Sequence, residues 1–161
     1  MLNCEKTLYL LNMKNILAIG PGMAGGFAWR DSDGQVQCQP AFGTEGDTLN
    51  FLRSLRAMGI DTAIVEQVCG FIPSAGAGAM FTFGEGFGFL KGCLMSLGFK
   101  LILVRPQRWQ KQLALGSKKD HGKAWKKHLK ANAQRLFPNA EITLKTADAL
   151  LLLEYASQTN P

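Results

Sequence analysis

Residues 14–29, KNILAIGPGMAGGFAW, decide the fold of this chain. Ile16, Leu17, Ala18 and Ile19 form an unbroken apolar run, the pattern of a central strand covered on both faces. Gly20-Pro21-Gly22 is a tight turn, and a second strand starts near Gly26. The small residues Gly22, Ala24, Gly25 and Gly26 let backbone or a ligand come close. Gly20, the last residue of the first strand, therefore lies at the rim of a sheet.

Further along, Asp31-Ser32-Asp33-Gly34 is a turn that leads into a third strand, Gln35 to Gln39. Three antiparallel strands in series make a meander. Thr44 to Gly46 precede a helix, Asp47 to Met58, with Leu49, Leu52 and Leu55 on its inner side and Arg53 and Arg56 facing out. Gly59 ends it. The next strand lies within Asp61 to Val68, DTAIVEQV. A helix between two strands predicts a crossover, with this strand parallel to the first. Ligand groups collect at the carboxyl ends of such strands, so Glu66 is expected beside Gly20. A Glu in an apolar run is costly to bury alone. A metal ion or a buried salt bridge would each resolve that cost.

Pro73 to Ala79, PSAGAGA, reads as a flexible loop. It leads into Met80 to Leu97, an apolar helix interrupted by Gly84, Gly86, Gly88 and Gly92. Each glycine costs a helix roughly 1 kcal/mol relative to Ala, which close packing against another helix can offset. Phe81, Phe83, Phe87 and Phe89 read as core, but Phe81 or Phe83 could instead stack on an unpaired base. Phe99 to Val104 is a strand, and Pro106 opens a helix at the position its fixed φ suits. Gly116 to Lys123 reads as a mobile basic loop, followed by a basic helix, Lys123 to Phe137, with Trp125, Leu129, Ala133 and Leu136 inside. His121 and His128 have no partnered ligand spacing. Thr146 is a plausible N-cap for the last helix, whose first turn holds Asp148 and whose Leu151, Leu152 and Tyr155 face the sheet.

Composition narrows the function. The chain has 161 residues, a formal net charge of +6 and 47% hydrophobic residues, which suits one globular domain with an acidic partner. The charge is unevenly spread. Lys100 to Arg135 contains eleven basic residues and one acid, Asp120, which favours phosphate contact over a solvated face. Cys4, Cys38, Cys69 and Cys93 are far apart and read as buried free thiols in a reducing compartment, not as a zinc site or disulfide framework. No apolar run is long enough to span a membrane. The first 13 residues read as a poorly anchored extension without a signal-peptide pattern, ahead of a single domain over 14–161.

The stretches ILAIGPGMAGG, IVEQV, PSAGAGAMFTFGEGFGFLKG, VRPQRWQKQLAL, KKHLKANAQRLFP and TADALLLLEYA together resemble the RuvC-type Holliday junction resolvases, in particular their phage-encoded branch, within the RNase H-like superfamily. The resemblance implies an α/β fold: a five-stranded mixed sheet, its first three strands antiparallel, flanked by helices. It implies a homodimer, with the Gly-rich helix as the contact, acting on branched DNA in the cytoplasm of a bacterial host or phage-infected cell. The implied chemistry is phosphodiester hydrolysis with two Mg²⁺, or Mn²⁺, held by carboxylates from the first strand, the fourth strand and the last helix.

Carried over residue by residue, the resemblance assigns metal binding and catalysis to Glu66 and Asp148. The first-strand Asp of the family falls on Gly20, and Leu144 and Lys145 stand where a further acid or His is common. Lys145 could compete with metal for Asp148. Asp31, Asp33 and Asp61 lie at the wrong strand ends to substitute. Expected DNA contacts are Phe81, Phe83, Arg105, Lys111, Lys118, Lys119, Lys123, Lys126, Lys127 and Lys130. The implied activity is a metal-dependent junction resolvase impaired by Gly20. The alternative is a non-catalytic junction-binding protein on the same fold. Whether Gly20 reflects natural loss or an inactivating change stays open at this point.

Overall fold

The computed structural model describes residues 15–69 and 75–159. The expected extension, residue 14 and, of the loop expected over Pro73 to Ala79, Pro73 and Ser74 fall outside them, while Ala77 to Ala79 already belong to a helix. The chain runs β1 (Ile16–Gly20), β2 (Gly26–Arg30), β3 (Val36–Pro40), α1 (Glu45–Ala57), β4 (Thr62–Glu66), α2 (Ala77–Ser96), β5 (Lys100–Val104), α3 (Pro106–Gln112), α4 (Lys118–His121), a 3₁₀ turn (Gly122–Ala124), α5 (Trp125–Leu136) and α6 (Ala147–Thr159). The five strands form one sheet in the order β3-β2-β1-β4-β5. β1 pairs antiparallel with β2, which pairs antiparallel with β3, while β4 is parallel to β1 and to β5. This is the α/β mixed sheet expected from the sequence.

β1 is central, and all five of its residues are buried. Its alternation feeds two cores. Ile16 and Ala18 face a layer made with α3, α5 and α6, through Trp109, Trp125, Leu129 and Leu150. Leu17 and Ile19 face the opposite layer, with Leu52 and Leu55 of α1 and Leu90 and Leu94 of α2. The turn after β1 depends on glycine. A Cβ at Gly25 would lie 1.9 Å from the Gly20 carbonyl oxygen, and at Gly22, with φ +92°, it would lie 2.7 Å from the Phe83 ring.

Local expectations fail in instructive places. Arg56 is half-buried: its Nε donates to the Leu97 carbonyl at 3.2 Å and its guanidinium lies over Phe99. The segment after Gly116 is not a loop throughout. Ser117 and Asp120 form a capping box that starts α4, with the Ser117 hydroxyl 2.6 Å from Asp120 Oδ2. Leu136 is exposed at the end of α5. Thr146 is fully buried, and its hydroxyl accepts from the Thr143 amide instead of from α6. Cys93 is buried, but Cys69 is exposed. No helix among the described residues is long and apolar enough to cross a membrane.

Candidate functional site

Strand parity builds the site. Residues two apart share a face of the sheet, so Gly20 follows Ala18, and Glu66 follows Ile64, toward the α6 layer. The parallel register pairs Ile19 with Val65, which sets Gly20 and Glu66 one step further on, at adjacent carboxyl ends. α6 crosses beneath with Asp148 in its first turn. A Cβ placed on Gly20 would lie 3.5 Å from the Asp148 Cβ and 3.7 Å from the Ala149 amide, ordinary contact distances. The structure therefore brings together the three positions that the sequence singled out.

Glu66 is held by a partner the sequence reading missed. The indole N–H of Trp109, a fully buried residue of α3, donates to Glu66 Oε2 at 3.0 Å. Burial raises the Glu66 carboxyl to about 7, and the nearby Asp148 charge adds to the rise. The Trp109 hydrogen bond and the Lys126 charge pull the other way and do not offset it. The only sequence signal for Trp109 was a tryptophan one turn into a helix that follows β5.

Asp148 is asymmetric. Its Oδ2 accepts a hydrogen bond from the Lys126 ammonium, which reaches over from α5. Its Oδ1 is buried with no hydrogen-bond partner among the described residues. The Lys126 side chain is 51% exposed and that of Asp148 only 14%, so the pair lies at the mouth of the site. Lys145, the cation expected to compete for Asp148, is exposed in the turn before α6, and the observed partner comes from α5.

The remaining basic residues lie on the elements of the same layer. Arg105, Lys111, Lys118, Lys119, Lys123 and Lys127 are exposed, and Lys130 is half-buried. His121 and His128 stack on each other with ring centroids 3.8 Å apart, and His128 Nε2 lies 2.8 Å from the Leu115 carbonyl oxygen. On the other side of the β1 end is a cleft of about 630 Å³ lined by Gly20, Gly22, Phe27, Phe42, Phe83 and Phe89. Phe81 is 68% exposed and Phe83 half-buried, so neither belongs fully to the core as its place in the Phe run suggested.

The residues present do not fit a two-metal centre. Glu66 and Asp148 supply two carboxylates, and an ammonium already holds one of them. Among the described residues no group of three or more His, Cys, Asp or Glu is placed to hold a metal ion. The orphaned Asp148 Oδ1 is the one atom that asks for a cation.

No protein-family model and no curated protein sequence matches the chain. Solved structures do resemble it. Thermus thermophilus RuvC in complex with a Holliday junction substrate superposes with a TM-score of 0.55 at 12% identity, covering 89% of this chain and 94% of that one. Thermus thermophilus RuvC in a second structure gives 0.54 at 15% identity, covering 90% and 96%. Fowlpox virus resolvase with Holliday junction DNA gives 0.50 at 13% identity, covering 89% and 99%. With the mixed sheet, the strand order and near-complete coverage agreeing, the chain has the fold of the RuvC-type Holliday junction resolvases.

Proposed function

We propose that the protein binds four-way DNA junctions through its basic layer, and that it hydrolyses them weakly or not at all. The observation that carries this is the incomplete carboxylate cluster at the strand ends: Gly20 in the third place, and Lys126 on Asp148. Lys126 of α5 reaches that cluster, the other basic residues of α3 to α5 are mostly exposed, and resolvases of this fold are seen with junction DNA. Phosphate contacts would come from Arg105, Lys111, Lys118, Lys119, Lys123, Lys127 and Lys130, and an unpaired base would stack on Phe81 or Phe83. A gel shift with a synthetic junction, paired with a cleavage assay in Mg²⁺ or Mn²⁺, tests both halves.

The binding half has a quantitative form. Junction affinity should exceed duplex affinity and fall steeply with salt, with about −0.9 of log–log slope for each phosphate neutralised. Replacing Lys118, Lys119 or Lys127 by Ala should each reduce the slope by about 1. Equal affinity for junction and duplex would refute junction recognition, and a flat salt response would refute the role of the basic layer.

We also propose a two-fold dimer through α2, matching the two-fold symmetry of a four-way junction. Gly84, Gly88 and Gly92 recur at helical spacing with open space where a Cβ would be, and Phe81 and Met95 on the same stripe are 68% and 61% exposed. Among the described residues nothing packs closely against these glycines, and a second copy would supply that packing. Light scattering at tens of micromolar, on the order of a weak dimer's Kd, should give twice the chain mass, and Gly88→Arg should give the monomer. A monomer for the unmodified chain would sink this.

A further inference from the structure

We infer that Lys126 is the resident cation of the carboxylate site, an ammonium tethered to α5 that stands where a divalent ion would otherwise be needed. The geometry is specific. Of the exposed lysines on α3 to α5, Lys126 alone lies within salt-bridge distance of a carboxylate among the described residues. Its Nζ donates to Asp148 Oδ2, and its charge also acts on Glu66. An ammonium is a compact point charge with three donors, suited to a site built from carboxylate oxygens.

Charge counting gives the consequence. Two carboxylates and one ammonium leave the site with a net charge no more negative than one elementary charge. A divalent ion entering there must displace a cation that is covalently part of the chain and so has a high effective concentration. It gains only two carboxylates in exchange, few ligands for Mg²⁺ or Mn²⁺. The site is therefore closed to divalent metal by its own lysine, as well as short of one ligand at position 20. This deepens the reading of impaired hydrolysis, but it needs no DNA. Failure of junction binding would leave it standing.

The test is Mn²⁺ binding to the DNA-free protein, followed by the loss of the free-ion electron paramagnetic resonance signal. The unmodified chain should attenuate the signal only weakly. Lys126→Met removes the competing charge, and affinity should rise on the order of tenfold or more, because a positive charge within a few ångströms is lost. Lys126→Gln, which keeps a donor for Asp148, should gain similarly and secures the test if the Met variant is poorly folded by circular dichroism. Lys127→Met, one residue away and exposed, should leave Mn²⁺ affinity unchanged, and Lys126→Met with Asp148→Asn should lose the gain. Tight Mn²⁺ binding by the unmodified chain would overturn the inference, as would equal gains from Lys126→Met and Lys127→Met.

Discussion

Gly20→Asp is expected to raise Mg²⁺-dependent cleavage of a four-way junction by about a hundredfold over the unmodified chain, the lower end of what one preorganised group acting on a transition state supplies. The backbone accepts the change. Gly20 has no positive φ, and its added Cβ meets Asp148 and Ala149 at 3.5 and 3.7 Å. β1 parity points the new carboxylate toward Asp148, beside Glu66. It adds one negative charge to a site that Lys126 now holds near neutrality, which is what a divalent ion needs in order to compete.

Recovery should be partial. Lys126 remains on Asp148, and Leu144 and Lys145 leave the turn before α6 without a further acid or His. Gly20→Asn, of the same size but uncharged, should give no gain. Gly20→Asp combined with Glu66→Gln should lose most of it. Adding Lys126→Met to Gly20→Asp should raise metal affinity further, although junction affinity can fall with the lost charge. Strong cleavage by the unmodified chain, abolished by Glu66→Gln, would refute the claim that position 20 is decisive.

The sheet and the Gly20–Glu66 corner were legible because they rest on short-range patterns, while Asp148 entered only through the family resemblance. The run Ile16 to Ile19, cut short by Gly20-Pro21-Gly22, reads as a covered strand where the equally apolar Leu150 to Leu153 continues a helix, and Glu66 at the end of a second short run fixed the place where the strands converge. The glycine turn and the crossover helix then set the sheet order. What stayed illegible depends on contacts between distant segments. Nothing in KKHLKANAQRL distinguishes Lys126 from Lys127. Only the crossing of α5 over α6 turns one toward Asp148 and the other to solvent. Trp109 is a core tryptophan by composition, and its hydrogen bond to Glu66 exists because α3 packs against the end of β4. The Ser117–Asp120 box is visible as a spacing, but the basic residues around it read more strongly as a loop. The glycines of α2 were recognised as needing a neighbour, and no described residue comes within 4 Å of a Cβ built on Gly84, Gly88 or Gly92.

Glu66→Gln should stabilise the folded protein at pH 8 and leave it unchanged at pH 4. The sign follows from linkage. An ordinary Glu in the unfolded chain titrates near 4.5, and burial, with Asp148 beside it, raises the folded Glu66 to about 7. Below 4.5 the carboxyl is protonated in both states and contributes no pH dependence. Between 4.5 and 7 the folded state binds more protons than the unfolded state, so stability falls as pH rises. Above about 7 the whole penalty is present, because folding then buries a charge that Trp109 and Lys126 only partly offset. Each tenfold change in proton affinity corresponds to about 1.4 kcal/mol. Discounted for the partial exposure of Glu66, the penalty is on the order of 2 kcal/mol. A glutamine keeps an oxygen for the Trp109 N–H and offers its amide to the Asp148 carboxylate, so it removes the charge without orphaning the indole. For a chain of this size that gain corresponds to a Tm about 4–8 °C higher at pH 8. Differential scanning calorimetry of both proteins from pH 4 to 8 reads the difference directly, and pH effects common to the two chains cancel. A variant less stable than the parent at pH 8 would mean that the Glu66 charge is compensated in the folded state, and the picture of a buried carboxylate short of a full counter-ion would fail with it.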